Sequence, residues 1–207
     1  MLLQPPSLCI LEPIVAAPIE LLWAFIGLIL TIGGTLIGAS ITSPPWSWEA
    51  SGIQTYPLGV TCQIGAVLLA SCLGGRNAGV LSQIAYLALG LAGFPVFTQG
   101  GGIGYIREPM FGYLLGFVPG AWICGSLAFK APPRLESLTF SCLCGLLTIH
   151  VVGLTYLIFG YLFSWVNSTS PLLEAVLKYS YHALPGQLAL TCAVTVLAFA
   201  IRHLMFY

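Results

Sequence analysis

Six long apolar segments constrain the fold of this chain more than any motif does. They span approximately 21–42, 58–75, 78–93, 109–129, 138–163 and 183–205. A helix rises about 1.5 Å per residue and needs roughly 20 residues to cross the hydrocarbon core of a bilayer. Because 58% of the residues are hydrophobic and only 6% are charged, the chain belongs to the integral membrane class. We therefore expect an all-α protein with six transmembrane helices, in which residues 1–20 form a tail and residues 21–207 a single domain.

The basic residues predict how these helices are oriented in the membrane. If the N-terminus is cytoplasmic, only Arg107 and Lys178 fall on the outer side, and four basic residues fall on the inner side. Those four are Arg76, Lys130, Arg134 and Arg202. Positive charge collects on cytoplasmic loops, so both termini are expected in the cytoplasm. The first, third and fifth connections between helices then face outward.

Charge and cysteine content argue against several functions. The formal net charge is zero, which disfavours nucleic-acid binding. The seven cysteines lack the paired spacing of a disulfide framework, and Cys142-x-Cys144 alone is a weak metal signal. We interpret the cysteines as small packing residues and predict no metal site. An intramembrane enzyme would need a nucleophile–base pair or clustered carboxylates within a span, and the sequence shows neither.

Small residues recur at helical spacing in several segments, which indicates a packed bundle. Helices in lipid approach each other through such faces. The clearest examples are Gly27, Thr31, Gly34 and Gly38 in the first segment and Gly79, Gln83, Tyr86 and Gly90 in the third. Gln83 should face the bundle, because an unpaired amide in lipid costs several kcal/mol. Its partner is either a neighbouring helix or a ligand, and the same two alternatives apply to His150 in the fifth segment.

The outward connections collect glycine, aromatic and polar residues that suit a ligand site. In the first connection, Trp48 belongs either to that site or to an interfacial aromatic belt. The second outward connection, between the third and fourth segments, contains a glycine run at residues 100–104, flanked by Gln99, Tyr105 and Arg107. Glycine allows close backbone approach, and the guanidinium of Arg107 suits a carboxylate. The glycine run matches no nucleotide-binding motif.

Residues 86–97, the glycine run, Pro109 and residues 112–117 resemble the BioY family. These proteins are the biotin-specific substrate-binding (S) components of energy-coupling-factor (ECF) vitamin transporters. The resemblance implies an S-component-like bundle in the cell membrane that binds biotin with high affinity at its outer face and needs no cofactor. It also implies a separate transmembrane coupling subunit and two cytoplasmic ATPases as partners. The stripe of Gly27, Gly34 and Gly38 is the docking surface that the resemblance predicts for the coupling subunit.

One motif departs from the family pattern. The last helix usually opens with Pro-x-x-Pro-Gly-Asp-x-x-Lys, whereas Gln187 and Leu190 stand at the Asp and Lys positions here. Leucine cannot contact a charge, so Arg107 or Lys178 is expected to bind the carboxylate of biotin. The residues expected to contact biotin are Tyr86, Gln99, Gly102, Tyr105, Arg107, Tyr113 and Gln187, with Gln83, Trp48, His150 and Lys178 as further candidates.

Three alternatives to a biotin carrier stay open from the sequence. The first is an S component for a different vitamin. The second is an intramembrane enzyme that acts on a lipid, and the third is a structural membrane protein without a ligand.

Overall fold

The computed structural model describes residues 18–166 and 171–205, with residues 50 and 51 described by their backbone only. In chain order the elements are α1 (Pro18–Leu36), β1 (Gly38–Thr42), α2 (Trp48–Ser51), β2 (Thr55–Thr61), α3 (Gln63–Leu91), α4 (Phe111–Ala128), α5 (Leu135–Leu162), α6 (Leu172–Val176) and α7 (Leu184–Met205). A 3₁₀ turn spans Ile103–Arg107, and a π-helical turn, Leu177–Tyr181, joins α6 to α7.

Five helical stretches within the described residues are long and apolar enough to cross a membrane. They are α1, α3, α4, α5 and the stretch Leu172–Met205, which includes α7. The predicted segments 109–129, 138–163 and 183–205 correspond to α4, α5 and α7 with ends that differ by at most three residues. The prediction of a helical, multi-pass membrane protein is therefore confirmed. Most of the predicted tail lies outside the described residues, although α1 already begins at Pro18.

Helix α3 contains residues 63–75 of the second predicted segment and residues 78–91 of the third, and it reverses direction at Gly75. This residue has φ 80° and ψ −177°, a backbone conformation that glycine adopts without strain. Gln63 Nε2 donates a hydrogen bond of 2.8 Å to the hydroxyl of Tyr86. A straight helix would separate positions 23 residues apart by roughly 35 Å. The two halves of α3, residues 63–74 and 76–91, therefore lie side by side and antiparallel.

The C-terminal end of the first predicted segment is wrong. Helix α1 ends at Leu36, and residues 38–42 form β1, which pairs antiparallel with β2. The pairing includes Gly38 with Thr61 and Ile41 with Tyr56, and its register is irregular between Gly38 and Ser40. Gly38 therefore lies in a strand and does not continue the helical stripe of Gly27. The second predicted segment likewise starts in β2, because these residues satisfy their backbone groups across the hairpin.

The small-residue face of α1 packs inside the chain. A Cβ atom added to Gly27 would lie 2.9 Å from Ala70 Cβ and 3.0 Å from Ser82 Cβ, one residue from each half of α3. At Gly34 it would lie 3.0 Å from the Cα of Gln63. Small residues let helix backbones approach this closely. Gly27 and Gly34, two of the three residues that were expected to dock a partner, thus pack against α3.

Basic residues gather at the end of the bundle opposite the β1–β2 hairpin. A Cβ added to Gly125, near the end of α4, would lie 2.6 Å from the backbone nitrogen of Arg76, at the turn of α3. Arg202 Nη1 donates a hydrogen bond of 2.7 Å to the carbonyl of Ala128. Lys130 and Arg134 follow in the connection between α4 and α5. The hairpin meets the other end of α3, at Gln63.

Candidate functional site

A cavity of about 480 Å³ lies between the β1–β2 hairpin and the adjoining ends of α3, α4 and α7. Its volume falls within the range of about 300–1,000 Å³ typical of small-molecule sites. The lining residues are Gly38, Ala39, Ser40, Pro57, Gly59, Val60, Thr61, Gln63, Ile64, Thr98, Met110, Tyr113, Leu114, Phe117, Lys178, Tyr179, Ala183 and Gln187. Of the predicted contact residues, Tyr113 and Gln187 line this cavity, and so does the further candidate Lys178.

The helical walls of the cavity are apolar and aromatic. Tyr113, Leu114 and Phe117 are spaced at i, i+1 and i+4 on α4, which turns them toward one side of that helix. All three side chains are buried. The ring of Tyr179, from the π-helical turn, lies with its centroid 6.3 Å from that of Tyr113. Such walls suit the apolar body of a small molecule, while a few polar groups fix its orientation.

Gln187 is held at the cavity by a chain of hydrogen bonds that crosses three helices. His150 Nε2 on α5 lies 2.6 Å from Gln187 Oε1 on α7. His150 Nδ1 lies 3.3 Å from Ser180 Oγ, which in turn lies 2.6 Å from the hydroxyl of Tyr113 on α4. All four residues are buried. His150 therefore stands behind the lining and supports it.

With a neutral imidazole on His150, each hydrogen bond of this network has one possible direction. An amide oxygen only accepts, so His150 Nε2 must carry the proton that is donated to Gln187. The neutral ring then accepts at Nδ1 from Ser180, whose oxygen accepts from the Tyr113 hydroxyl. This arrangement leaves the amide N–H groups of Gln187 as donors for a molecule in the cavity. The oxygen of Tyr113 keeps a lone pair with which it can accept.

Gln63 also lines the cavity and offers the opposite hydrogen-bonding polarity. Its Nε2 donates to the hydroxyl of Tyr86, which donates in turn to the carbonyl of Val96 at 2.9 Å. Thr35 of α1 lies 3.2 Å from the same hydroxyl. Because the amide nitrogen of Gln63 is engaged with Tyr86, its carbonyl oxygen is the atom left to accept from a ligand. Tyr86 is fully buried and acts from behind the lining.

Lys178 carries the only formal charge among the described residues that line the cavity. Its ammonium lies 5.3 Å from the centroid of the Tyr179 ring, a cation–π distance. No acidic residue appears among the lining residues that the structure describes. The ammonium is therefore available to an anionic group of a bound molecule.

Besides Tyr86, four of the predicted contact residues lie outside the cavity lining: Gln99, Gly102, Tyr105 and Arg107. Tyr105 is buried with its ring 4.6 Å from that of Phe97 and bonds to the backbone of Gln99. Burial raises the pKa of Tyr105 to about 12, with a further contribution from Glu108, so its hydroxyl keeps its proton at neutral pH. Gly102 has φ 102° and donates to the carbonyl of Gly90 at 2.7 Å. The side chain of Arg107 is exposed at the end of the 3₁₀ turn.

The two remaining candidates also lie outside the cavity lining. Gln83 is fully buried and donates from Nε2 to the hydroxyl of Thr31 on α1 at 3.1 Å. Its hydrogen-bond partner is therefore a neighbouring helix, one of the two alternatives that the sequence left open. Trp48 donates from Nε1 to the carbonyl of Ser43 at 2.8 Å and so fastens the connection between β1 and β2.

The part of the site that the hairpin provides was not predicted from the sequence. Seven lining residues come from β1 or β2: Gly38, Ala39, Ser40, Pro57, Gly59, Val60 and Thr61. The β-branched residues in Gly38–Thr42 and Thr55–Thr61 were the available signal. It was obscured because these residues continue apolar runs that also fit a helix.

Comparison with known proteins agrees with this architecture. The model of the BioY family matches residues 20–206. The chain belongs to the BioY family. A protein of Lysinibacillus sphaericus named probable biotin transporter BioY is 39% identical over 140 residues, which cover 67% of this chain and 70% of that protein. A 21.2 kDa protein of Cyanophora paradoxa is 27% identical over 186 residues, 89% of this chain and 95% of its own length.

The fold of this BioY protein is similar to that of a solved structure, the S-component for biotin from an ECF-type ABC transporter. The TM-score is 0.64 over 88% of this chain and 89% of the other, at 23% sequence identity. The expectation of an S-component fold is therefore confirmed.

Proposed function

We propose that this protein binds biotin in the cavity beneath the β1–β2 hairpin and takes it across the cell membrane as the S component of an ECF-type transporter. Its membership of the BioY family and the names of its relatives support this function. The single observation that carries it is the cavity itself. An apolar space of about 480 Å³ brings together an amide donor on Gln187, an amide acceptor on Gln63 and the ammonium of Lys178.

These three groups complement the functional groups of biotin. The ureido ring has one carbonyl oxygen and two N–H groups, and the valerate chain ends in a carboxylate. We assign Gln187 Nε2 to the ureido oxygen and Gln63 Oε1 to one ureido N–H. The oxygen of Tyr113 is placed to accept from the other N–H, and its ring and that of Tyr179 would border the bicyclic body. Lys178 would receive the carboxylate, in place of the cation that Leu190 cannot supply.

Tyr86 and His150 have a positioning role in this proposal. Each is bonded to a lining glutamine and determines which end of that amide faces the cavity. Gln99, Gly102, Tyr105 and Arg107 stay predicted contacts on the loop that precedes α4, with Arg107 as the rival of Lys178 for the carboxylate. Gln83 and Trp48 are proposed to support the surrounding structure.

We further propose six membrane crossings with both termini in the cytoplasm. Each antiparallel half of α3 would count as one crossing, beside α1, α4, α5 and α7. The grouping of Arg76, Lys130, Arg134 and Arg202 at one end of the bundle supports a cytoplasmic location for that end. The cavity would then open toward the exterior.

The ECF assignment implies a transmembrane coupling subunit and two cytoplasmic ATPases as partners. Docking on the stripe of α1 stays a prediction. Gly27 and Gly34 pack against α3, so a subunit that approaches from the lipid would first meet the exposed side chains of Leu22, Phe25 and Ile29.

Calorimetric titration of the detergent-purified protein with biotin tests the proposed function. We expect saturable binding to one site, and biotin should co-purify with protein that is extracted without added vitamin. Competition by desthiobiotin, riboflavin and thiamine tests the substrate, because only desthiobiotin keeps both the ureido group and the carboxylate. Tighter binding of riboflavin or thiamine than of biotin would make this an S component for another vitamin.

A further inference from the structure

Three buried cysteines from three different helices meet in the interior of the bundle, outside the biotin cavity. Cys72 lies in α3, Cys124 in α4 and Cys142 in α5, and all three side chains are inaccessible to solvent. Cys72 Sγ lies 3.6 Å from Cys124 Sγ and 3.4 Å from Cys142 Sγ. All three sulfur atoms lie within 4.8 Å of one another. None of them lines the cavity, so the proposed transport function does not use this thiol cluster.

The spacing of the sulfur atoms is that of a metal site. Metal–thiolate bonds are about 2.3 Å long, so three sulfurs arranged in a plane around one ion lie roughly 4 Å apart. The observed separations of 3.4 and 3.6 Å would have to widen by about half an ångström.

The donor set selects the class of ion. Soft thiolate ligands favour Cu(I), whereas a structural zinc site needs four ligands. Within the described residues, no histidine and no carboxylate joins the three sulfurs at ligand distance. We propose that Cys72, Cys124 and Cys142 bind one Cu(I) ion in a three-sulfur site that links α3, α4 and α5.

The charge balance also favours a monovalent ion. When Cu(I) binds and two thiol protons are released to the solvent, the ion, two thiolates and one remaining thiol carry a net charge of −1. Arg202 of α7 is buried, and its Nη1 donates to the carbonyl of Ala128, one helical turn after Cys124 on α4. Its Nε finds no hydrogen-bond partner among the described residues. A buried charge needs a nearby opposite charge, and the loaded site would provide one for Arg202, whereas three neutral thiols do not.

The chain offers matched controls for this site. Cys144 follows Cys142 on α5 by two residues and is only half-buried, and Cys192 on α7 is exposed. Serine at either position removes a thiol from the same protein without touching the cluster. The variants Cys72→Ser, Cys124→Ser and Cys142→Ser should lose copper binding, and Cys144→Ser and Cys192→Ser should retain it.

The test is an anaerobic titration of the reduced, detergent-purified protein with Cu(I) in competition with bathocuproine disulfonate. We expect one tightly held Cu(I) per chain and an X-ray absorption spectrum with three sulfur neighbours. Failure of the unaltered protein to take Cu(I) from the chelator would overturn the proposal. So would loading of the three cluster variants equal to that of the two controls. A cluster variant that does not fold is replaced by its alanine counterpart, and the absorption spectrum of the unaltered protein decides on its own whether three sulfurs bind the ion.

Discussion

His150 Nε2 lies 2.6 Å from Gln187 Oε1, and this one contact determines which end of the glutamine amide faces the cavity. The amide can donate toward the cavity only while the histidine holds its oxygen. Gln187 stands where the family pattern has aspartate, an acceptor. Because His150 holds the amide oxygen, Gln187 presents N–H donors to the cavity, whereas an aspartate at this position would present only acceptors.

Replacing His150 by alanine should therefore weaken biotin binding about 5- to 30-fold. The reason is the loss of one buried hydrogen bond and of the fixed amide orientation, together worth about 1–2 kcal/mol. Titration calorimetry of His150→Ala against the unaltered protein measures the effect. The exposed His182 provides the control, since His182→Ala removes an imidazole that touches neither Gln187 nor the cavity. Equal affinities for the two variants would contradict a positioning role for His150.

Lys178 should contribute more to binding than Arg107. Charge-assisted hydrogen bonds are worth about 1.5–3 kcal/mol, which corresponds to about a 10- to 150-fold change in affinity. We expect that loss for Lys178→Ala and an affinity close to that of the unaltered protein for Arg107→Ala, because only Lys178 lines the cavity.

A neutral ligand separates loss of the carboxylate contact from a general disturbance of the site. For biotin amide, which lacks the carboxylate, Lys178→Ala should bind nearly as well as the unaltered protein. If Arg107→Ala shows the large loss for biotin and none for the amide, the carboxylate is bound by the loop that precedes α4.

The sequence alone was sufficient to locate the helices that form from one continuous apolar run. The apolar runs located α4, α5 and α7, and the break between the second and third segments fell at Gly75, where α3 reverses. Tyr113, Lys178 and Gln187 were placed among the candidates from their neighbourhood in the sequence. The hairpin was missed because pairing between Gly38 and Thr61 is a long-range contact. No local pattern distinguishes an apolar strand of five residues from the last turn of a helix.

Long-range packing also explains why the predicted contact residues in the loop after α3 do not line the cavity. Its glycines and rings pack on one another, as the contact between Phe97 and Tyr105 shows. The glycine, aromatic and polar residues of this loop are also the types that a ligand site contains, so their composition predicted one here. Whether a ring faces a ligand or a neighbouring ring depends on the whole bundle.

Gln63→Met should weaken biotin binding about tenfold and leave the protein folded. Methionine keeps the length of the side chain and removes both the acceptor for a ureido N–H and the donor to Tyr86, at a cost of about 1–2 kcal/mol. The matched control is Gln99→Met on the exposed loop, outside the cavity lining. A competition assay with labelled biotin compares the two. A larger loss of biotin affinity for Gln99→Met than for Gln63→Met would mean that the ureido group contacts the loop that precedes α4 and not Gln63.

Gly116→Ala should lower stability, whereas Gly33→Ala should leave it unchanged or raise it. A Cβ at Gly116 of α4 would lie 2.8 Å from the carbonyl oxygen of Ile149 on α5, so the two helices must separate at a cost of about 1–3 kcal/mol. At Gly33 of α1, apart from the backbone of the helix itself, no atom of the described residues lies within 4 Å of an added Cβ. Alanine favours a helix by about 0.5–1 kcal/mol over glycine. Thermal unfolding in detergent compares the variants. A melting temperature for Gly116→Ala at or above that of Gly33→Ala would mean that α4 and α5 are not in the close contact described here.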